Sequence, residues 1–168
     1  MQTPAWATFP NPVDEHAART VAGGVAVLTA VTLAAQAWWL VPLLVLGFAA
    51  RALAGPRFSL LGRLATRVVA PRLGPARLVP GPPKRFAQAI GLVLTGIAAL
   101  AAAVGATPVT AVLLSVLLAF ALLESVAGFC AGCWLFGLLM RWGWVSEDTC
   151  ADCQDIWARY GRQPAGRP

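Results

Sequence analysis

The sequence predicts an all-α membrane protein: a bundle of about four transmembrane helices with an interfacial amphipathic helix and a short cytoplasmic C-terminal helix. Three observations support this fold class. Of the 168 residues, 58% are hydrophobic and only 12% are charged. The mean hydropathy is +0.70, and long uncharged runs alternate with short cation-rich segments. A water-soluble core of this size has no room for so many apolar side chains, so we expect a lipid bilayer to be the solvent.

The first apolar run is long enough for two helices. Asn11 is predicted to cap a helix with Pro12 in its first turn and Asp14 and Glu15 next, so this helix should start at about residue 12. Residues 20–50 carry no charge. As one helix they would be roughly 45 Å long, whereas a hydrocarbon core of about 30 Å needs only about 20 residues. We therefore predict a hairpin of two spans, the second of them short, with a break near Gln36.

Residues 51–85 are predicted to form a cytoplasmic loop, because they are rich in Gly and Pro and carry eight cations. Those cations are Arg51, Arg57, Arg63, Arg67, Arg72, Arg77, Lys84 and Arg85. A short helix is predicted within the loop. One face holds Phe58, Leu61, Leu64, Ala65 and Val68, and the other holds Ser59, Gly62, Arg63, Thr66 and Arg67. The apolar face lies either in the lipid headgroups or against the protein's own spans.

A second hairpin is predicted from Phe86 onwards. Residues 86–104 form the third span and residues 105–108 the turn. The fourth apolar run extends to Met140 with Glu124 as its sole acid. At roughly 50 Å it exceeds one membrane thickness, so we expect it to bend or leave the membrane near Gly128.

The chain is thus divided into a membrane domain, residues 1–144, and a cytoplasmic tail, residues 145–168. In the tail, Ser146 is predicted to cap a short helix that contains residues 150–160. The turns near Gln36 and Gly105 carry no cation, and all thirteen Lys and Arg lie in the other segments. The positive-inside rule then predicts a multi-pass protein of the cytoplasmic (inner) membrane with both termini in the cytoplasm. The net charge of +6 fits anionic lipid headgroups better than nucleic acid.

The four cysteines form two Cys-x-x-Cys pairs, Cys130 with Cys133 and Cys150 with Cys153. In a redox interpretation, thiols three residues apart at a helix start are close enough to form or exchange a disulfide. In a metal interpretation, four thiolates at this spacing are typical of a zinc-ribbon-like site. The aromatic and aliphatic surroundings of the first pair favour redox or sulfur chemistry. A third interpretation treats the cysteines as small, inert apolar residues.

Glu124 is the other candidate site residue. An ionisable residue at membrane depth is a functional candidate, because its burial is costly. It lies about one and a half helical turns before Cys130. Two roles are open: a proton acceptor for the thiols, or a structural partner of Arg51, Lys84 or Arg85. The structural partner is slightly favoured.

Four segments together resemble the bacterial integral membrane family known as domain of unknown function 4395. They are NPVDEHAAR, GFAARALAGPRFSLLGRLA, GPPKRFAQAIG and LESVAGFCAGC. The resemblance covers about residues 9–140 and implies a four-span protein whose paired cysteines, here Cys130 and Cys133, suggest thiol chemistry. It also implies a genomic setting beside thioredoxin-like and sulfurtransferase proteins, and it supplies no known reaction. The polar residues of the shared motifs either form one site with the cysteines or serve as anchors and caps; they are Asp14, Arg19, Arg51, Arg57, Ser59, Lys84, Arg85, Gln88 and Glu124.

The leading hypothesis is a membrane-embedded dithiol protein that exchanges electrons or sulfur with a cytoplasmic thioredoxin-like or rhodanese-like partner. It would act as a thiol–disulfide oxidoreductase or sulfur relay, with Cys130 and Cys133 as the membrane pair and Cys150 and Cys153 as a mobile relay. No cofactor is expected for this role. A first alternative is a non-enzymatic membrane scaffold in which the four thiolates bind zinc. A second is a small transporter or channel subunit for a sulfur compound or an ion, with Glu124 and the arginines along its path.

Overall fold

A computed structural model describes residues 9–145, 149, 150 and 153 of the chain. Within these residues the fold is all-α, as predicted. The helices are α1 (Glu15–Ala34), α2 (Val41–Ala54), α3 (Leu60–Leu64), α4 (Gly81–Ala103), α5 (Thr107–Leu122) and α6 (Ala131–Arg141). Two short antiparallel strands, β1 (Val13–Asp14) and β2 (Leu78–Val79), join the segments before α1 and α4.

Three helices in the described part of the chain are long and apolar enough to cross a membrane. They are α1, α4 and the continuous helix Thr107–Ala127, which is α5 extended by a π-helical turn. Trp38–Ala54, which contains α2, is apolar but shorter, as expected for the second span. Large apolar side chains face outward along these helices, among them Val27, Leu46, Leu100 and Val112. These faces fit a lipid bilayer as the surrounding medium.

Both predicted hairpins are present. In the first, α1 ends at Ala34, Gln36 adopts a positive φ of 51°, and a 3₁₀ turn over Trp38–Leu40 leads into α2. In the second, Gly105 has a φ of 77°, a conformation that glycine adopts without steric cost, between α4 and α5. Each uncharged run that is too long for one membrane span therefore folds into two helices joined by a tight turn.

The predicted start of the first helix at about residue 12 is wrong by three residues. Residues 13 and 14 are extended because β1 pairs with β2, and α1 begins at Glu15. Asp14 is its N-cap and accepts a hydrogen bond from the backbone N–H of His16 at 2.9 Å. Asn11 has a different role: its Oδ1 accepts a hydrogen bond from the backbone N–H of Gly81 at 2.8 Å, at the start of α4.

The predicted helix in the middle segment is α3, continued by a π-helical turn over Ala65–Val69. The predicted division between its faces is confirmed for part of the helix only: Ala65 is buried and Leu61 packs against the core, but Ser59 and Gly62 of the predicted polar face are buried as well. Its buried side consists of Ser59, Gly62 and Ala65, whereas Phe58, Leu64 and Val68 of the predicted apolar face are exposed. Ser59 is buried because its hydroxyl caps α3 and accepts a hydrogen bond from Arg51. The exposed apolar side chains lie beside three exposed arginines, Arg57, Arg63 and Arg67.

The core lies between the helices of the two hairpins, where α2 packs on α4 and α1 packs on α5. Val41 and Leu114 are fully buried in it. Close approach depends on small residues: a Cβ atom on Gly91 of α4 would lie 2.2 Å from the ring of Phe48 on α2. This packing brings the start of α1, the end of α2, the start of α4 and the end of α5 to one end of the bundle.

Candidate functional site

The first cysteine pair lies where the fourth long helix ends. Gly128, in the left-handed conformation with φ 71°, terminates that helix and turns the chain into α6, as predicted. Cys130 is the N-cap of α6, and its Sγ accepts a hydrogen bond from the backbone N–H of Cys133 at 3.3 Å. The Cys133 thiol also donates to Cys130 Sγ, at a sulfur–sulfur distance of 2.7 Å. Both cysteines are free thiols.

The two thiols differ in acidity. The hydrogen bond from the Cys133 S–H lowers the pKa of Cys130, and the Lys84 ammonium group lowers it further, against the opposing effects of burial and of Glu124. The pKa of Cys133 is raised, because its proton is held in the same hydrogen bond and because the thiol is buried. Cys130 is therefore the more acidic thiol of the pair.

Glu124 forms an ion pair with Lys84, with 2.6 Å between Oε1 and Nζ. The two side chains are 16% and 10% exposed, so the pair is largely withdrawn from water. Lys84 belongs to the first turn of α4, and Glu124 to the π-helical turn after α5. The structural partner favoured for Glu124 is thus present, and it fixes the start of α4 to the helix end that precedes the cysteines.

A second buried cation, Arg51, organises a polar network beside this pair. Its Nε donates to Oε1 of Gln88 at 2.8 Å, and its Nη1 donates to Oγ of Ser59 at 3.1 Å. Its guanidinium group lies 4.6 Å from the ring centroid of Phe48. Arg51 therefore ties α2 to α4 and to the cap of α3.

The remaining polar residues of the shared motifs support helix ends. Arg19 donates to the backbone carbonyls of Ser125 and Val126, at 3.1 and 2.7 Å, which satisfies acceptors at the end of the fourth long helix. Arg85 donates to the carbonyl of Ala52 at 3.0 Å, at the end of α2. Of the motif residues, those that lie around the thiols are Lys84, Glu124, Arg51 and Gln88.

Cys130 borders two open spaces. The inner one is a cavity of about 190 Å³ inside the helix bundle, also lined by Arg51, Gln88 and Glu124. The outer one is a groove of about 490 Å³, also lined by Cys133, Lys84 and Trp134. We call them the inner cavity and the outer groove. Cys130, at the N-terminus of α6, thus lies between the two spaces.

The second cysteine pair lies beside the outer groove. Cys150 and Cys153 are joined by a disulfide with a Cα–Cα distance of 5.3 Å, and Cys153 lines the groove together with Cys130 and Cys133. The predicted tail helix starting after Ser146 otherwise lies outside the described residues. No three His, Cys, Asp or Glu side chains among the described residues are grouped as a metal site requires. The zinc interpretation of the four cysteines stays a prediction.

Sequence reasoning missed the residues that hold α6 against α4. The rings of Phe86 and Phe136 are 5.6 Å apart and tilted by 60°. A Cβ on Gly132 would lie 2.6 Å from the Cβ of Ala87, so the backbones of α6 and α4 approach closely there. Gly132, between the two cysteines, could have predicted this contact from the sequence, because a glycine inside a helix indicates close packing.

The comparison with protein families matches this same region. The family model described as domain of unknown function DUF4395 matches residues 13–141. The chain belongs to this family. The match confirms the resemblance. It includes Cys130 and Cys133 and ends before Cys150 and Cys153. No curated protein and no solved structure matches the chain.

Proposed function

We propose that this DUF4395 member is a membrane-embedded dithiol protein that exchanges disulfides or sulfur with a cytoplasmic thioredoxin-like or rhodanese-like protein. One observation carries the proposal: two free thiols and a disulfide border the same outer groove. Cys130 and Cys133 supply the thiols, and Cys153 contributes one sulfur of the disulfide.

The exchange reaction follows the acidity of the two thiols. The Cys130 thiolate attacks a sulfur of the Cys150–Cys153 disulfide, forming a mixed disulfide and releasing the other tail sulfur as a thiolate. Cys133 then loses its proton and attacks Cys130, which releases the second tail sulfur. The products are a Cys130–Cys133 disulfide and a tail dithiol, so two electrons and two protons have moved to the tail. The same steps in reverse return them.

The proposed partner either reduces or oxidises the tail, or delivers sulfur as a persulfide. In the latter case the Cys130 thiolate takes the terminal sulfur of the partner persulfide, becomes a persulfide itself, and leaves the partner as a thiolate. The cytoplasmic assignment rests on the positive-inside rule. Arg51, Lys84 and Arg85 at the site end of the bundle, with uncharged turns at the opposite end, support that assignment.

Trapping the mixed disulfide tests the proposal. In full-length Cys133→Ala protein, held in mild detergent with the tail oxidised, Cys130 attacks the tail but no second thiol resolves the product. Peptide mass spectrometry should then find Cys130 linked to Cys150 or Cys153. The matched Cys130→Ala variant keeps only the less acidic thiol and should give at least about tenfold less cross-link.

Two results would contradict the proposal. One is the absence of a link in either variant, with wild-type thiol counts that do not change between oxidising and reducing conditions. The other is stoichiometric zinc in the purified protein that is lost on Cys133→Ala or Cys150→Ala, which would establish the four-cysteine zinc scaffold instead.

A further inference from the structure

The inner cavity is polar at one end and apolar along the rest of its length. Its polar end is formed by Arg51, Gln88, Glu124 and Cys130. Its walls continue along three helices to Val25, Leu94 and Leu117. On α1 the lining runs from Ala18 to Val25, so this wall of the cavity is roughly 10 Å long at about 1.5 Å per residue.

The inner cavity has a side that faces the surroundings of the bundle. Ile90 on α4 and Phe120 on α5 both line it, and they are 37% and 48% exposed. Both helices are of membrane-spanning length. A molecule in the cavity can therefore place its polar part near Cys130 and extend an apolar tail between these side chains into lipid.

Hydrogen-bond donors are available at the polar end. Arg51 uses Nε and Nη1 in its bonds to Gln88 and Ser59, and Gln88 uses its oxygen. Within the described part of the chain, Nη2 of Arg51 and the amide nitrogen of Gln88 donate to no other protein group, and both residues line the cavity. The volume of about 190 Å³ exceeds that of an engineered cavity, about 150 Å³, known to bind benzene. The cavity therefore has room for one six-membered ring.

We infer that the inner cavity binds the head of a lipid-soluble quinone, which accepts electrons from Cys130 and Cys133. A phospholipid would also fill an apolar cavity. Among the common membrane lipids, however, only a quinone has carbonyl acceptors and an apolar tail and can also accept electrons from an adjacent dithiol. The inference rests on the proposed dithiol function and supplies its electron acceptor.

The reaction is balanced within the site. Cys130 and Cys133 together lose two electrons and form one S–S bond; they also give up two protons, the first when Cys130 ionises and the second from the Cys133 S–H when the disulfide forms. The quinone gains the two electrons and two protons and becomes a quinol, with two new O–H bonds. The new disulfide then oxidises the Cys150–Cys153 dithiol by the exchange described above, which returns Cys130 and Cys133 to free thiols.

Quinone reduction by the purified chain tests this inference. Full-length protein with Cys130 and Cys133 reduced is mixed, in mild detergent, with a short-tailed ubiquinone or a short-tailed menaquinone. In a Cys150→Ala/Cys153→Ala background the protein should form one quinol per chain, because the tail can then supply no further electrons, and adding Cys133→Ala should give none. Ala121→Phe, which places a ring in the inner cavity, should slow the reaction at least about tenfold. Ala119→Phe, on the exposed side of the same helix, should not slow it.

A second variant and a binding measurement distinguish loss of the quinone site from misfolding of the Ala121→Phe protein. Gln88→Glu keeps the oxygen that accepts from Arg51 and removes the amide donor, so it should weaken quinone reduction while leaving the side-chain shape. A photoreactive quinone should label peptides that contain residues 87–94 or 117–121, and excess unreactive quinone should suppress that labelling. Labelling elsewhere, or equal rates for Ala121→Phe and Ala119→Phe, would overturn the inference.

The outcome also separates this inference from the proposed function. If the thiols exchange with the tail disulfide but neither quinone is reduced, the quinone site is overturned and the dithiol function stands. If co-purified phospholipid fills the cavity and quinone does not displace it, the inference is overturned in the same way. If neither exchange nor quinone reduction occurs, the dithiol function itself is wrong.

Discussion

At the scale of single residues, the unequal acidity of the two thiols follows from the position of Cys130 as a helix cap. A cap residue receives hydrogen bonds from the first turn of its helix, and the residue three positions later points back toward it. Cys130 therefore accepts both the N–H and the S–H of Cys133. The Cys-x-x-Cys spacing and Gly128, which ends the preceding helix, are enough to create this arrangement.

The acidity of Cys130 should depend on the hydrogen bond from residue 133. The lowered pKa of Cys130 means that its thiolate forms at lower pH than an ordinary thiol, so its alkylation by iodoacetamide should begin at lower pH. The variants are compared with Cys150 and Cys153 replaced by alanine, so that Cys130 stays free; Cys133→Ala removes the donor, and the midpoint of the pH profile should move to higher pH. Cys133→Ser keeps a hydroxyl donor, and its midpoint should lie between those of wild type and Cys133→Ala.

Mass spectrometry of the alkylated Cys130 peptide across the pH range checks this order. Rates at the high-pH plateau serve as the control, because Cys130 is ionised there in every variant and only access to the sulfur remains. Coincident midpoints for the three proteins, with equal plateaus, would show that residue 133 does not tune Cys130.

At the scale of helices, the site depends on how closely α4 approaches α2 and α6. Gly91 accommodates Phe48, and Gly132 lies against Ala87. These contacts place Gln88, which lies between Ala87 and Gly91 in the sequence, beside Arg51. Small residues thus bring the polar network together, as they do in many membrane helix pairs.

Two glycines of α4 should respond in opposite ways to the same substitution. Gly91→Ala places a Cβ 2.2 Å from the Phe48 ring, and such overpacking costs about 1–3 kcal/mol. Gly96→Ala meets no atom within 4 Å and should stabilise the helix by about 0.5–1 kcal/mol. Unfolding by increasing SDS in mixed micelles measures both.

Phe48→Leu provides the matched test of the mechanism. Combined with Gly91→Ala it should recover part of the lost stability, because the smaller side chain vacates the space of the new methyl group. Equal unfolding midpoints for the two alanine variants would contradict the packing described for α2 and α4.

The sequence predicts the elements better than their contacts. Run length and the absence of charge locate both hairpins, since a membrane core fixes how long a helix can be. They do not reveal the partner of Asn11, which caps α4 and not α1, because that bond joins residues 70 positions apart. Nor do they show which face of α3 is buried, because Ser59 becomes a core residue only through Arg51. For Glu124, the sequence offers three possible cationic partners, and only the packing of α4 shows that the ion pair is made with Lys84.

At the scale of the whole molecule, charge is distributed along the bundle axis. The turns at Gln36 and Gly105 carry no cation, whereas Arg19, Arg51, Lys84 and Arg85 all make contacts at the opposite end. The thiols, the outer groove and the ion pair share that cationic end. The proposed thiol chemistry would therefore occur on the side of the membrane that this charge asymmetry selects.

Labelling from one side of the membrane should reveal that orientation. In a variant with all four cysteines replaced by alanine, Ala35→Cys adds a thiol at the exposed turn between α1 and α2, and Leu73→Cys adds one to the exposed loop before α4. A membrane-impermeant maleimide should label the first variant in intact spheroplasts and the second only after lysis, because cation-rich segments stay in the cytoplasm. Labelling of Leu73→Cys from outside would place the outer groove on the far side of the membrane, where a cytoplasmic thioredoxin-like partner has no access to it.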